Sequence, residues 1–449
     1  MRNASISKMP ASNVLPTWPE MPLESVALIN PESLGTNTPA TLEFHYIDIS
    51  SVSAGVIDWG NVTTQNIVTA PSRARRIIRP GDVLFCTVRP GLQAHAFADW
   101  QARDGYICST GFAVIRAKEG HAPRYLFHLA FSDSLNQQVK RYETGSNYPA
   151  INETDVRSLV IPVPAFDEQR RIAKLLDTVD AAIRLTEALI AKHKQMKAGL
   201  LRRLLTRGID KNGRLRDPRR HPEQFKQSPL RVIPKEWEIF TLGELAESAI
   251  DGPFGSNLKT EHYVTEPEVR VVRLQNIESG YFDDSDKAYV SYSHANRLKR
   301  YEIVSGDLLI ASMGDDNHPI ARACLFPSSA EPGIVKADCF RFRLKASLAL
   351  NGYAMQVLNC PSTRGDIAQM GQGVTRDRVN LTSLKKVRIA VPPIVEQNVI
   401  VSILALEDDC IRIEKERRDK LIQLKRGLMR DLLTGRVRVN ERKLEAVAG

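Results

Sequence analysis

Along the stretch from Asp167 to about Thr206, apolar residues recur at alternating steps of four and three. Ile172, Leu176, Val179 and Ile183 begin the series, and Ile190, Leu200 and Leu204 continue it. That spacing is the buried stripe of an amphipathic helix. No proline or glycine interrupts it before Gly199, and Arg207-Gly208 supplies a stop. Asp167 and Glu168 stand at its start, where negative charge favours the helix dipole. A second series runs from Glu396 to Thr434, with Ile400, Leu404, Ile411, Leu421, Leu424, Leu428 and Leu432 on its stripe. Each predicted helix has roughly 40 residues and a length of about 60 Å. A helix that long outreaches one small domain and needs another long apolar stripe to cover it. The two are therefore expected to pair as an antiparallel coiled coil. The alternative is a long core helix inside each of two globular units.

The two series are copies of one another. IPVPAFDEQRRIAKLLDTVDAAIRL, beginning at Ile161, aligns without a gap on IAVPPIVEQNVIVSILALEDDCIRI, beginning at Ile389, at an offset of 228. Glu168-Gln169 thus match Glu396-Gln397. Further on, Lys197, Gly199, Leu200, Arg202, Leu204, Leu205 and Thr206 meet Lys425, Gly427, Leu428, Arg430, Leu432, Leu433 and Thr434. Backward, Gly145 pairs with Gly373 and Asn152 with Asn380. The regions ahead match more loosely: Trp18 and Leu23 parallel Trp237 and Leu242, and Gly81-Asp82-Val83-Leu84 parallels Gly306-Asp307-Leu308-Leu309. The reading is an α+β chain with pseudo-two-fold symmetry. A variable unit (1–160) is followed by a helix segment (161–208) and a Pro- and Arg-rich connector (209–236). A second variable unit (237–388), a second helix segment (389–436) and a tail (437–449) follow.

The variable units read as mixed α/β. Short apolar or alternating runs predict strands at Phe44–Ile49, Asp82–Val88, Phe112–Ile115, Val269–Leu274, Asp307–Ala311 and Phe340–Leu344. Arg124–Tyr142 and Leu348–Met370 read as helical near the end of each unit.

Composition narrows the class of partner. The 449 residues are 43% hydrophobic and 25% charged, with a net charge of +10. Such an excess favours a polyanion. It is not spread evenly: residues 1–160 and 231–388 each balance to zero, whereas 161–230 carry +8 and 389–449 carry +2. DNA contact by the variable units would thus depend on local clusters. Arg73, Arg75, Arg76 and Arg79 form one; Arg376 and Arg378 another; Lys385, Lys386 and Arg388 a third. The six cysteines are scattered with no Cys-x-x-Cys pair, which argues against structural zinc and fits a reducing cytoplasm. The first residues lack an apolar signal core, and no run approaches 18 apolar residues, so no membrane segment is expected.

No catalytic constellation is present in the sequence. A methyltransferase would need a Gly-rich adenosylmethionine loop and an Asn/Asp-Pro-Pro-aromatic motif, and neither occurs. Lys259-Thr260 ends a Gly-rich stretch but lacks the preceding glycine of a phosphate loop. Asp315-Asp316 and Asp283-Asp284 read as acidic turns rather than metal sites, and no metal is expected. Two loops, Gly145-Ser146-Asn147-Tyr148 and Gly371 to Arg376, occupy matching places ahead of the helix segments. Their planar or bidentate donors suit base edges. Ser146, Asn147, Tyr148, Gln372, Thr375, Arg376 and Arg378 are therefore candidate DNA contacts, beside Arg73, Arg75 and Arg76.

The tracts IPVPAFDEQRRIAKLLDTVD and VPPIVEQNVIVSIL resemble the start of the spacer helices in type I restriction–modification specificity subunits. GLMRDLLTGRVRV and GLLRRLLTRGID resemble the same helices' ends. SPLRVIPKEWEIFTLGELAE and IDGPFGSNLKTEHY are similar to the opening of that family's second target-recognition domain, which adds Ser256 and Lys259 to the DNA-binding candidates. The first domain has no counterpart of Gly252-Pro253-Phe254-Gly255-Ser256. The likeness covers essentially the whole chain. It implies two target-recognition domains that read the halves of a split, asymmetric site on double-stranded DNA. It also implies paired helices that set the gap and carry two methyltransferase subunits, with motor-nuclease subunits joining. On those helices Glu168, Gln169, Ile172, Leu176, Ile183, Leu200 and Leu204, with Glu396, Gln397, Ile400, Leu404, Ile411, Leu428 and Leu432, are the spacer and subunit-interface candidates. The chain itself would hold no cofactor; S-adenosylmethionine, ATP and Mg would belong to the partners. Two other classes compete: an enzyme with fused recognition domains, disfavoured by the missing motifs, and a coiled-coil scaffold that never touches nucleic acid.

Overall fold

The computed structural model describes residues 18–35, 37–99, 105–145, 148–315, 317–370 and 378–439. They fall into two compact units. One draws on the chain up to Glu187 and again from Lys415; the other is the continuous stretch Ala188–Glu414.

In the first unit, strand Glu20–Pro22 pairs antiparallel with Val160–Pro162. An antiparallel sheet runs in the order Ala27–Ile29, Phe112–Ala117, Val83–Cys86, Ala96–Phe97. A mixed sheet runs Thr63–Asn66, Glu43–Ile47, Tyr106–Ser109, Ala74–Ile77, and its central pair is parallel. The second unit repeats this plan. Glu238–Thr241 pairs with Arg388–Val391. The antiparallel sheet runs Ala246–Asp251, Cys339–Leu344, Leu308–Ala311, Ala323–Leu325. The mixed sheet runs Tyr289–Val290, Val269–Val272, Gly333–Val335, Glu302–Ile303, again with a parallel central pair and with Tyr263–Val264 added at one edge. The predicted strands thus form, most of them shifted by a residue or two.

Each predicted helical stretch ahead of the long helices is broken in two. Pro123–Leu129 and Asp133–Tyr142 replace the first, because the Ser132 hydroxyl accepts from Leu135 N and starts a new helix. Asn351–Leu358 and Pro361–Gln369 replace the second, because Pro361 has no N–H to continue the ladder.

The long helices span Phe166–Arg207 and Ile394–Leu432. In the first unit, Ile172, Ala173 and Leu176 from one helix share a core with Leu432 and Leu433 at the end of the other. There Lys425 pairs with Asp180 at 2.6 Å. In the second unit, Leu201, Leu204 and Leu205 share a core with Ile400 and Leu404. Here Lys197 Nζ lies 2.5 Å from Asp408. As one helix number rises its partner's falls, so the pair is antiparallel. Most of the predicted stripe is covered: Ile172, Leu176, Ile400 and Leu404 are wholly buried, and Ile183, Leu200 and Leu428 are half-buried. Leu424 is the exception at 51% exposed. A stripe counted in steps of three and four drifts relative to a straight helix over several turns, and Leu424 has rotated off the seam.

The matched residues are clamps. Gln169 accepts from Ala122 N at 2.9 Å and donates to Pro164 O at 2.9 Å. Gln397 accepts from Leu350 N at 2.8 Å and donates to Leu348 O and Pro392 O. Tyr125 and Tyr353 donate to Pro162 O and Ala390 O respectively. Each pair obeys the same offset of 228. Glu396 is the most heavily bonded: its carboxylate accepts from Ile209 N, both terminal nitrogens of Arg216 and Trp237 Nε1, at 2.6–3.2 Å. In the first unit Glu168 accepts from Arg438 at 3.0 Å, and Arg438 lies over the Trp18 ring.

Gly208, just past the first helix, has a left-handed backbone (φ +63). A Cβ there would fall inside van der Waals contact of Glu396, Arg216 and Trp237. Gly208→Ala is expected to destabilise the protein by about 2 kcal/mol or more. Gly199→Ala, mid-helix with open space around it, is expected to be neutral or stabilising by up to about 1 kcal/mol. Denaturant midpoints of the two variants check this, and equal midpoints would show that Gly208 is not confined.

Candidate nucleic-acid interface

In each unit the chain runs into its last strand past a short ladder. In the first, Ile151 N donates to Thr87 O and Val88 bridges Ala150. In the second, Val379 N donates to Ser312 O and Met313 bridges Arg378. Tyr148 and Arg378 are the described DNA-contact candidates at or within two residues of these ladders. Ser146, Asn147, Gln372, Thr375 and Arg376 lie outside the described residues.

The described candidates differ in how their charge is occupied. Arg73 pairs with Asp48 at 2.6 Å and donates to the Tyr46 hydroxyl. Arg76 is half-buried and pairs with Glu153 at 3.5 Å. Arg79 is held by Glu32, whose carboxyl is lowered to about 2 by its hydrogen bonds to Arg79 and Arg116. Arg75 alone of this cluster faces solvent with only a backbone carbonyl, Ser72 O, as partner. The cluster that stands out in sequence is therefore mostly neutralised within its own unit. Lys385, Lys386 and Arg388 lie at and just beyond the end of the short helix Leu381–Lys385.

Tyr148 is 68% exposed, and the Arg89 guanidinium lies over its ring at 4.4 Å. Arg89 and Gln93 both have left-handed backbones (φ 50) and bracket the single turn Pro90–Leu92. Arg89 N donates to Pro149 O at 2.7 Å, which fixes this turn beside Tyr148. Sequence reasoning missed Arg89. The Arg-Pro-Gly tripeptide signals a turn, but nothing along the chain says that the turn faces Tyr148.

In the second unit, the segment Gly252–Ser256 brings Phe254 beside the ladder residue Arg378. Gly252 is pressed so close to Lys336 O that no side chain fits. Ser256 and Lys259 are exposed beyond it, Lys259 with Glu261 at 3.6 Å. Arg378 pairs with Asp338 at 2.6 Å and lies 5.7 Å from the centroid of the exposed Phe254 ring. Asp338 has a left-handed backbone (φ 68) and also accepts from the Ser312 hydroxyl. Burial, with the Asp338 charge beside it, pushes the Asp251 carboxyl up to about 6, and Asp251 Oδ1 has no hydrogen-bond partner among the described residues.

Comparison with known proteins adds the family. Residues 76–195 and 234–423 match the type I restriction modification DNA specificity domain. The chain is 23% identical over 317 residues to the type I restriction enzyme MjaVIII specificity subunit of Methanocaldococcus jannaschii, covering 70% of each. In fold it is similar to a type I restriction–modification S subunit from M. genitalium (TM-score 0.57, 13% identity, 95% of this chain and 98% of that one). It is also similar to a chain from a structural study of type I system assembly and conformational transition (TM-score 0.56, 24% identity, 95% and 100%). A duplicated α+β reading head on antiparallel helices, matched over both halves, places this chain in the type I restriction modification DNA specificity family. Among the described residues no helix is long and apolar enough to cross a membrane.

The raised Asp251 carboxyl makes stability fall as pH rises. The folded state keeps its proton longer than the unfolded state, so the contribution is full below about 4 and is lost as pH passes about 6. Asp251→Asn is expected to raise the melting temperature at pH 7.5 and to raise it less at pH 5. An equal gain at both pH values would show that this carboxyl ionises normally.

Proposed function

We propose that this chain is the targeting subunit of a type I restriction–modification complex and carries no catalytic step of its own. The observation that carries this reading is the doubled topology: two units of one plan, in each of which the chain runs from a short ladder through its last strand into a long helix. Each unit reads one half of a bipartite DNA site. Because the Gly252–Ser256 segment has no counterpart in the first unit and the side chains at the matched loops differ, the half-sites are different and the site is asymmetric.

The matched helix segments, repeated where the variable units are not, carry the partners common to all sites. These are two methyltransferase subunits that use S-adenosylmethionine, joined by motor-nuclease subunits that use ATP and Mg. The assembly works in the cytoplasm, where the DNA is. Within each unit, backbone-rich loops and arginines supply phosphate contacts that fix register, and a few side chains reach base edges.

The test is long-read mapping of methylated adenines in cells that express this chain with its partner subunits. One bipartite, asymmetric motif is expected, absent when this chain is omitted. The purified chain alone is expected to transfer no methyl group and hydrolyse no ATP. Turnover that survives removal of every partner, or methylation that is unchanged without the chain, would overturn the reading.

A further inference from the structure

The two units present one device in the same place with different parts. In the first, Arg89 follows the ladder residue Val88 and its guanidinium covers the exposed Tyr148. In the second, Arg378 is itself the ladder residue opposite Met313, and its guanidinium faces the exposed Phe254. Val88 and Met313 are equivalent in the doubled fold, and so are Ala150 and Arg378. The arginine thus comes from opposite strands of the same ladder, yet ends beside an exposed aromatic ring in both units. Arg89 has no carboxylate partner among the described residues. Arg378 keeps half its side chain exposed beside Asp338. Arg73, Arg76 and Arg79 are likewise tied to acids of their own unit, as Arg378 is to Asp338.

We infer that Arg89 on Tyr148 and Arg378 on Phe254 are the sequence-reading arginines of the two half-sites, each recognising a guanine edge. This rests on the reading of the chain as a DNA-targeting subunit. An aromatic face holds a guanidinium flat and leaves its N–H edges pointing outward, so little freedom is lost when it binds. Guanine offers N7 and O6 side by side in the major groove, the spacing that a guanidinium edge matches with two hydrogen bonds. Lysine cannot reproduce the planar fork. The left-handed backbones at Arg89 and Gln93, and at Asp338 behind Arg378, are the local devices that aim the two groups.

The test uses the purified complex of this chain with its co-expressed partners and duplexes carrying the mapped site. Arg89→Ala and Arg89→Lys are each expected to weaken binding about tenfold or more, with the loss confined to one guanine of one half-site. The other half-site serves as the internal control for folding. Replacing that guanine by 7-deazaguanine, which lacks N7, should weaken the wild-type complex and leave Arg89→Ala unaffected. Arg378→Ala should do the same at the other half-site. Uniform weakening of all sequences with a shallower salt dependence would assign these arginines to phosphate and overturn the inference. So would unchanged affinity and site preference in both alanine variants. If the wild-type complex prefers no sequence at all, the targeting reading itself fails, which is a separate result.

Discussion

A carboxylate at the first turn of each long helix receives the chain that leaves the other helix, and the rest of the fold is hung on that closure. Glu396 is buried and accepts bonds from Ile209, Arg216 and Trp237. A buried carboxylate is costly unless its lone pairs are filled, and here all of its partners come from the segment after the first helix. The requirement fixes where that helix must stop, which is why Gly208 has no room for a side chain. Glu168 does the same job more simply, with Arg438 as its side-chain partner among the described residues. The indole nitrogens show the difference: Trp237 Nε1 donates to Glu396, whereas Trp18 Nε1 has no partner among the described residues and Arg438 covers its ring.

With the helices closed in this way, the variable units inherit a common frame. Gln169 and Gln397 each fill a backbone N–H and a carbonyl where the sheets meet the helix, so the sheets can differ in loops without losing their seat. The clamps repeat between the two units while the loops do not, so the frame and the loops are separable parts of one plan. Charge follows the same division. The helices bind one another through pairs such as Lys425–Asp180 and Lys197–Asp408, while residues 1–160 and 231–388 each balance to zero.

Much of the frame was legible in the sequence because periodicity and repetition are local signals. The long helices, their antiparallel pairing and the duplication of the chain followed from apolar spacing and one offset. The breaks at Ser132 and Pro361 were readable too, since a cap and a missing donor act locally, but a continuous apolar pattern masked them. The interface was less legible. Arg73, Arg75, Arg76 and Arg79 stood out as a basic run, yet Asp48, Glu153 and Glu32, which neutralise three of them, lie far away along the chain. Arg89 carried no signal because its value depends on Tyr148, 59 residues later. Side-chain company across a fold is not a periodic property.

The two units also differ in continuity, and that has a consequence for synthesis. The second unit is one unbroken stretch, Ala188–Glu414, whereas the first needs residues from Lys415 onward. Leu432, Leu433 and Val439 are part of its core. The sheets of the first unit therefore leave the ribosome early and wait with that core open. At about 5–20 residues per second, the delay between Glu187 and Lys415 is on the order of 10–50 s. The unit nearer the end of the chain closes before the one that was made first. During that interval the apolar face of the first long helix, from Ile172 to Val179, is what a chaperone would find.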